Sequence, residues 1–258
     1  MEELVSRRSF LGAIAGLSAA PLFAQRRSAW PGGFVSFTYD DGLDTQLDAA
    51  APQLEAAGLR GTFYLTWDNI RRRLADWRAL ATRDHELANH TVTHDCDLIG
   101  DRSSAFRRRE VDPMERWLRS VDGHSHGQDY AYPCDVTDLG PGTANAQAAR
   151  YSAMLRRAGI DSARTSEGPP NPDWWVRRQP YRLQALALGF DTRDAKDAID
   201  YLSRAARDRK WAILVIHAIS DGSRNDGVIS PDEHREIVAA VGKLGLASGT
   251  VNRAIALT

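Results

Sequence analysis

From Phe34 onward, apolar runs of strand length alternate with amphipathic helical patterns, which leaves few architectures open to the chain. Residues 34–39, FVSFTY, read as a strand that turns out through Asp40-Asp41-Gly42. A helix is expected over 45–57, stopped by Gly58, and a second strand over 61–66. Residues 69–82 place Ile70, Leu74, Trp77, Leu80 and Ala81 on one side of a helix. Further strands are expected at 130–133, 162–165, 183–188 and 211–219, and helices at 106–120, 144–158, 195–209 and 231–244. The last helix opens on Ser230-Pro231-Asp232-Glu233, a capping box with proline at the first helical position. Repeated strand–helix units argue for an α/β fold with a parallel sheet, open or closed, whose ligands bind at the C-terminal strand ends. The polar residues after Tyr39, Asn89, Pro133 and Ile216 fall at such ends.

With 33 Lys+Arg against 34 Asp+Glu, the chain has no electrostatic reason to seek nucleic acid or an anionic membrane. A neutral or mixed-charge polymer suits it better. Two cysteines, Cys96 and Cys134, are too few for a disulfide scaffold or a four-thiolate zinc site. The N-terminal stretch pairs Arg7 and Arg8 with an apolar run from Phe10 to Phe23, the pattern of a twin-arginine export signal cut after Ala24. That run is short for a membrane span, which needs about 20 residues. The expected layout is therefore a signal at 1–24, a linker at 25–33 and one catalytic domain at 34–258, exported to the periplasm or beyond, with no stable membrane span after cleavage.

Two clusters carry chemistry. Asp40 and Asp41 are adjacent carboxylates at a strand end, where one needs a cation or a proton to be tolerated. Alone, Asp-Asp-Gly is better explained by a solvated acidic turn. His85-Glu-Leu-Ala-Asn-His90-Thr-Val-Thr-His94 spaces His90 and His94 four apart, within reach of one ion on a helical turn. That spacing is weak by itself and gains weight from the upstream aspartate. One carboxylate and two imidazoles leave an open coordination position, the pattern of a catalytic metal. His217 ends the apolar run of 211–216; alone it reads equally well as a core histidine.

TYDDG, HELANHTVTH and the late strand-end histidine, in this order, resemble the polysaccharide deacetylases of carbohydrate esterase family 4. The resemblance runs from Phe34 to the C-terminus. It implies a distorted (β/α) barrel with about seven strands, with Asp41, His90 and His94 as metal ligands, Asp40 as general base and His217 as general acid. It also implies a divalent ion, zinc by preference with cobalt or nickel accepted, and removal of acetyl groups, chiefly N-acetyl, from a cell-wall or extracellular polysaccharide; apart from the resemblance, a monomer is expected. Two alternatives stand beside that reading: hydrolysis of a non-carbohydrate amide, and a catalytically weak carbohydrate-binding protein.

The third family motif departs from its pattern. Ala131 stands where the family carries an arginine, Cys134 replaces an aromatic residue and Asp135 a glycine. Asp40 is thus expected to lack its cationic partner. Asp191 and Asp194 are candidates for the acid that tunes His217. Cys96 and Cys134 should border one cleft in a barrel. In an oxidising compartment they could pair, closing a loop worth about 3–4 kcal/mol in the chain-entropy model, or they could remain buried thiols. Tyr132 and Trp174 are candidate substrate contacts, with Trp67 and Trp175 as further stacking surfaces; 169–175, with its three prolines, reads as a loop that carries the paired tryptophans. His85, His124, His126 and His234 match no motif and read as surface residues.

Overall fold

The computed structural model describes residues 28–122, 128–191, 193–221 and 227–258. The expected signal, the first three residues of the linker, His124 and His126 lie outside them. Among the described residues, no helix is long and apolar enough to cross a membrane.

The first strand, β1 (Phe34–Tyr39), is buried at all six positions, as expected for a parallel strand covered on both faces. A π-helical turn (Gln46–Ala50) runs into α1 (Ala51–Ala56), followed by β2 (Gly61–Leu65). The expected helix over 69–82 is instead two: α2 (Trp67–Ile70) and α3 (Leu74–Ala81), broken between them by a turn. Then come β3 (Glu86–Asn89), α4 (Ser103–Phe106), a second π-turn (Arg107–Val111), α5 (Asp112–Asp122) and β4 (Gln128–Ala131). Next are α6 (Ala144–Ala158), β5 (Ile160–Arg164), α7 (Asp173–Arg178), β6 (Leu186–Ala187), α8 (Ala195–Asp208) and β7 (Trp211–Ile216). The chain closes with β8 (Ala218–Ile219), β9 (Val228–Ile229), α9 (Pro231–Lys243), β10 (Ala247–Ser248) and α10 (Val251–Ala256). The Ser230–Glu233 capping box forms as the sequence predicts.

Seven strands lie in the order β5-β4-β3-β2-β1-β7-β6, and β10 adds to β1 off that path. Every pairing is parallel. A bridge between Arg164 and Leu183, just before β6, draws the two ends of the sheet towards each other. The result is a curled, distorted (β/α) barrel, as the sequence reading expects. Trp30, just ahead of β1, is buried and packs on Trp211 with ring centroids 5.7 Å apart.

The register aligns the strand ends. Tyr39 pairs with both Ile216 and Phe63, Leu65 with Asn89, and Ala131 with Arg164. Asp40, His217 and His90 each follow one of these pairs directly. The fold therefore delivers them to one rim before any side chain is considered.

Inside the curl the alternate positions are polar, where larger barrels stack branched apolar residues. Thr62 donates to Glu86, and Tyr64 and Ser162 both donate to Asp129. Burial, followed by the nearby Asp129 charge, pushes Glu86 up to about 8, so it stays protonated at neutral pH. Burial likewise raises Asp129, against the lowering pull of Ser162 and Tyr64. These side chains share the interior with Ala88 and Ala131, whose small size leaves room for Arg164 above Tyr64.

Two further expectations are corrected. His85 and His234 are buried, not on the surface. His234 sits between the Tyr39 hydroxyl (2.6 Å from Nε2) and Gln53 Oε1 (2.7 Å from Nδ1), and burial pushes it down to about 3. Trp174 and Trp175 lie on α7 instead of a loop, because Pro172 caps a helical turn there.

Candidate metal centre

Gly42 is the sharp turn that starts the site. Its φ is +72°, and a Cβ there would meet Ile70 Cγ2 at 2.5 Å. Asp41 itself has φ +77°, a left-handed conformation that aspartate tolerates better than most residues. Its carbonyl accepts from Thr66 Oγ1 and from Asn69 Nδ2, each at 2.9 Å, which fixes the turn from the β2 side.

The stretch 85–94 is not a helical turn. Residues 86–89 are strand, and Thr91 (φ +72°) and His94 (φ +60°) are left-handed, which no α-helix accommodates. The spacing of four works because the loop folds back at Thr91, whose hydroxyl accepts from the His94 amide at 3.0 Å. Asn89 Oδ1 accepts from the Thr91 amide at 2.8 Å and sets the first bend.

The three expected ligands converge. Asp41 Oδ1 is 3.5 Å from His90 Nε2 and 3.6 Å from His94 Nε2. One ligand atom from each of Asp41, His90 and His94 lies within 4.8 Å of the others. His90 donates its Nδ1 proton to the Ala131 carbonyl at 2.9 Å, leaving Nε2 free of a proton and facing Asp41. Burial lowers the His90 pKa, with Asp40 and Asp41 pulling the other way, so the ring is held neutral. A carboxylate with two imidazoles of this kind suits zinc, cobalt or nickel, and the residues present fit such an ion.

Asp40 is buried beneath this trio, with Oδ2 4.0 Å from His90 Nε2. The expectation that it lacks a cation does not hold. Arg164, 1% exposed, donates from its guanidinium to Asp40 Oδ1. The arginine comes from β5, at the position register-paired with Ala131 on β4. Burial alone would push the Asp40 carboxyl up, but the Arg164 charge and hydrogen bond are the main pull the other way and leave the carboxyl below its usual range. Sequence reasoning missed Arg164 because a cross-strand neighbour 33 residues along is invisible without the register. The one available signal was an arginine at the end of a buried strand.

His217 lines the same cavity of about 450 Å³, with Asp40, Asp41, His90, His94 and Arg164. Its Nδ1 is buried without a hydrogen-bond partner among the described residues, against Gly227 and the edge of Phe190. Gly227 (φ +80°) is required there, since a Cβ would come 2.7 Å from that nitrogen. Nε2 is thus the nitrogen able to meet the cavity. Neither expected acid reaches the ring. Asp194 caps α8 through the amides of Lys196 and Asp197, and Asp191, on the exposed rim of the cavity, lies 4.0 Å from Arg193. Helix capping is the stronger claim on an aspartate that precedes a helix.

Tyr132 borders the cavity, but its hydroxyl donates to the Tyr181 carbonyl at 3.1 Å. Trp174 is half exposed on α7 and is not among the cavity's lining residues. Trp67 lines a separate groove with Trp117. Cys96 and Cys134 are joined as a disulfide, with Cα atoms 5.8 Å apart. Asp135 adopts φ +57° where a glycine would be at ease, and its carboxylate accepts from the Ser166 amide at 2.8 Å.

A distorted parallel barrel with a carboxylate–imidazole cluster on its C-terminal rim defines the class of protein. Residues 28–139, somewhat under half of the chain, match the polysaccharide deacetylase family model. Among solved structures, the T48 deacetylase with substrate is 15% identical, with a TM-score of 0.59 over 89% of this chain and 94% of that one. A family 4 acetyl xylan esterase from Clostridium thermocellum, solved with a cobalt ion, is 16% identical, with a TM-score of 0.56 over 87% of this chain and 91% of that one. At such identities the likeness is one of fold. A gellan lyase from a Bacillus species is 25% identical over 207 residues, which is 76% of this chain and 8% of that protein.

Proposed function

We propose that the protein is a metal-dependent hydrolase that removes acetyl groups, chiefly N-acetyl, from a cell-wall or extracellular polysaccharide. The observation that carries this reading is the convergence of Asp41, His90 and His94 on one point of a cavity that Asp40 and His217 also line. Asp41, His90 and His94 would hold the ion. When bound, a divalent ion there supplies a Lewis acid that polarises the acetyl carbonyl and lowers the pKa of water.

The chain's own residues do the rest. Arg164 keeps Asp40 ionised and fixes its carboxylate, so Oδ2 can take a proton from an attacking water. His217 holds a proton at Nε2 for the departing amine. With Nδ1 against Gly227 and Phe190, its ring is positioned by packing in place of a carboxylate. The small, partly enclosed cavity suits an acetyl group on a sugar, and the near-neutral chain is compatible with a long uncharged polymer. The residues 1–24, with their paired arginines, support export to the compartment where such polymers lie.

Acetate release from chito-oligosaccharides and from peptidoglycan tests the reading. Stripping the protein with a chelator is expected to abolish release, and adding zinc, cobalt or nickel to restore it. Release that continues unchanged in the stripped protein sinks the metal-dependent assignment.

A further inference from the structure

His94 stands where two sets of donors meet. Its Nε2 faces Asp41, while its Nδ1 lies 3.8 Å from Cys96 Sγ and 3.9 Å from Cys134 Sγ. Metal-binding imidazoles ordinarily commit their second nitrogen to an oxygen, as His90 does with the Ala131 carbonyl. The second nitrogen of His94 faces a disulfide instead. His94, Cys96 and Cys134 place one donor atom each within 4.8 Å of one another.

The separations are those of ligands on a common ion. With Zn–S near 2.3 Å and Zn–N near 2.0–2.1 Å, donors at tetrahedral angles sit about 3.5–3.8 Å apart. Both nitrogen–sulfur distances already lie near that value. What must open is the sulfur–sulfur distance, and breaking the bond allows it by side-chain rotation. The corner is accessible, because Cys134 is exposed and Cys96 half-buried.

We propose that a dithiol reductant converts this corner into a second metal site, in which the Cys96 and Cys134 thiolates and His94 Nδ1 take a thiophilic divalent ion such as zinc or cadmium. The reductant's two thiols become its own disulfide, and two electrons and two protons pass to Cys96 and Cys134. Binding of the ion then releases those two protons to solvent. A neutral imidazole has one lone pair, so a ring that binds through Nδ1 carries its proton on Nε2 and no longer serves Asp41 and His90. On the proposed function, reduction in the presence of such an ion therefore switches the enzyme off, and this last step rests on that reading.

Cadmium titration of the whole protein, followed by the thiolate-to-cadmium charge-transfer absorption in the ultraviolet, tests the site directly. The reduced protein is expected to show the band, saturating at one ion per chain, and the oxidised protein to show none. The Cys96→Ser/Cys134→Ser variant should show none under reductant. The His94→Gln variant should bind about tenfold more weakly or worse, as for loss of a supporting ligand contact. The Asp41→Asn variant should keep the band, so the result does not depend on the deacetylase assignment. No band in the reduced protein, or equal affinity in the His94→Gln variant, overturns the proposal. So does a reduced chain that loses its far-ultraviolet circular dichroism even with cadmium present.

Discussion

Replacing Arg164 by alanine is expected to destabilise the fold by about 3–5 kcal/mol, the usual consequence of stripping one partner from a buried ion pair. The same change should lower acetate release about a hundredfold or more, within the range that general-base catalysis contributes. Both effects follow from geometry. Arg164 and Asp40 are each shielded from water, and the guanidinium lies 4.5 Å over the Tyr64 ring while donating to Asp40. Without that charge, burial pushes the Asp40 carboxyl up, towards the protonated form. A protonated Asp40 cannot accept another. The lysine variant should fall between, since an ammonium keeps the charge but not the planar fork. The Ala131→Arg/Arg164→Ala double variant moves the cation to the register partner on β4 and should recover part of the lost rate. Urea denaturation and initial rates of acetate release give the two readouts. An Arg164→Ala variant as active as the parent would remove Arg164 from the account.

Replacing His90 by alanine should weaken zinc binding by well over a hundredfold, because loss of a supporting contact alone costs about 10–100-fold. On the proposed function His90 supplies one of three donors, held in place by the hydrogen bond from its other nitrogen to the Ala131 carbonyl. Isothermal calorimetry on protein stripped of metal measures the change. Affinity within a few-fold of the parent would mean that the ion binds elsewhere.

The barrel was legible because strongly apolar runs such as 34–39 and 211–216 alternate with amphipathic helical patterns, some of them marked by a cap or a breaker. The 231–243 helix, with its Ser230–Glu233 box, begins as the sequence predicts. The convergence of Asp41, His90 and His94 was legible from the motifs they belong to, although a loop and not a helical turn brings the two histidines together. They meet through a loop with two left-handed residues, and a spacing of four does not distinguish that from a helical turn. Arg164 was illegible, since its partner is set by strand register. The fate of Asp194 was readable from its position before a helix, where capping competes with catalysis. The setting of His217 depends on Gly227, which nothing near His217 in the sequence announces.

The most direct measurement is acetate release by the zinc-loaded protein and its Asp40→Asn variant, assayed together on N-acetylated oligosaccharides and peptidoglycan. The predicted result is release by the parent and a fall of about 10²–10⁴ in the variant at unchanged zinc content, the contribution expected of a positioned base. A zinc-loaded parent that frees no acetate from any polymer, or a variant as fast as the parent, would contradict the account.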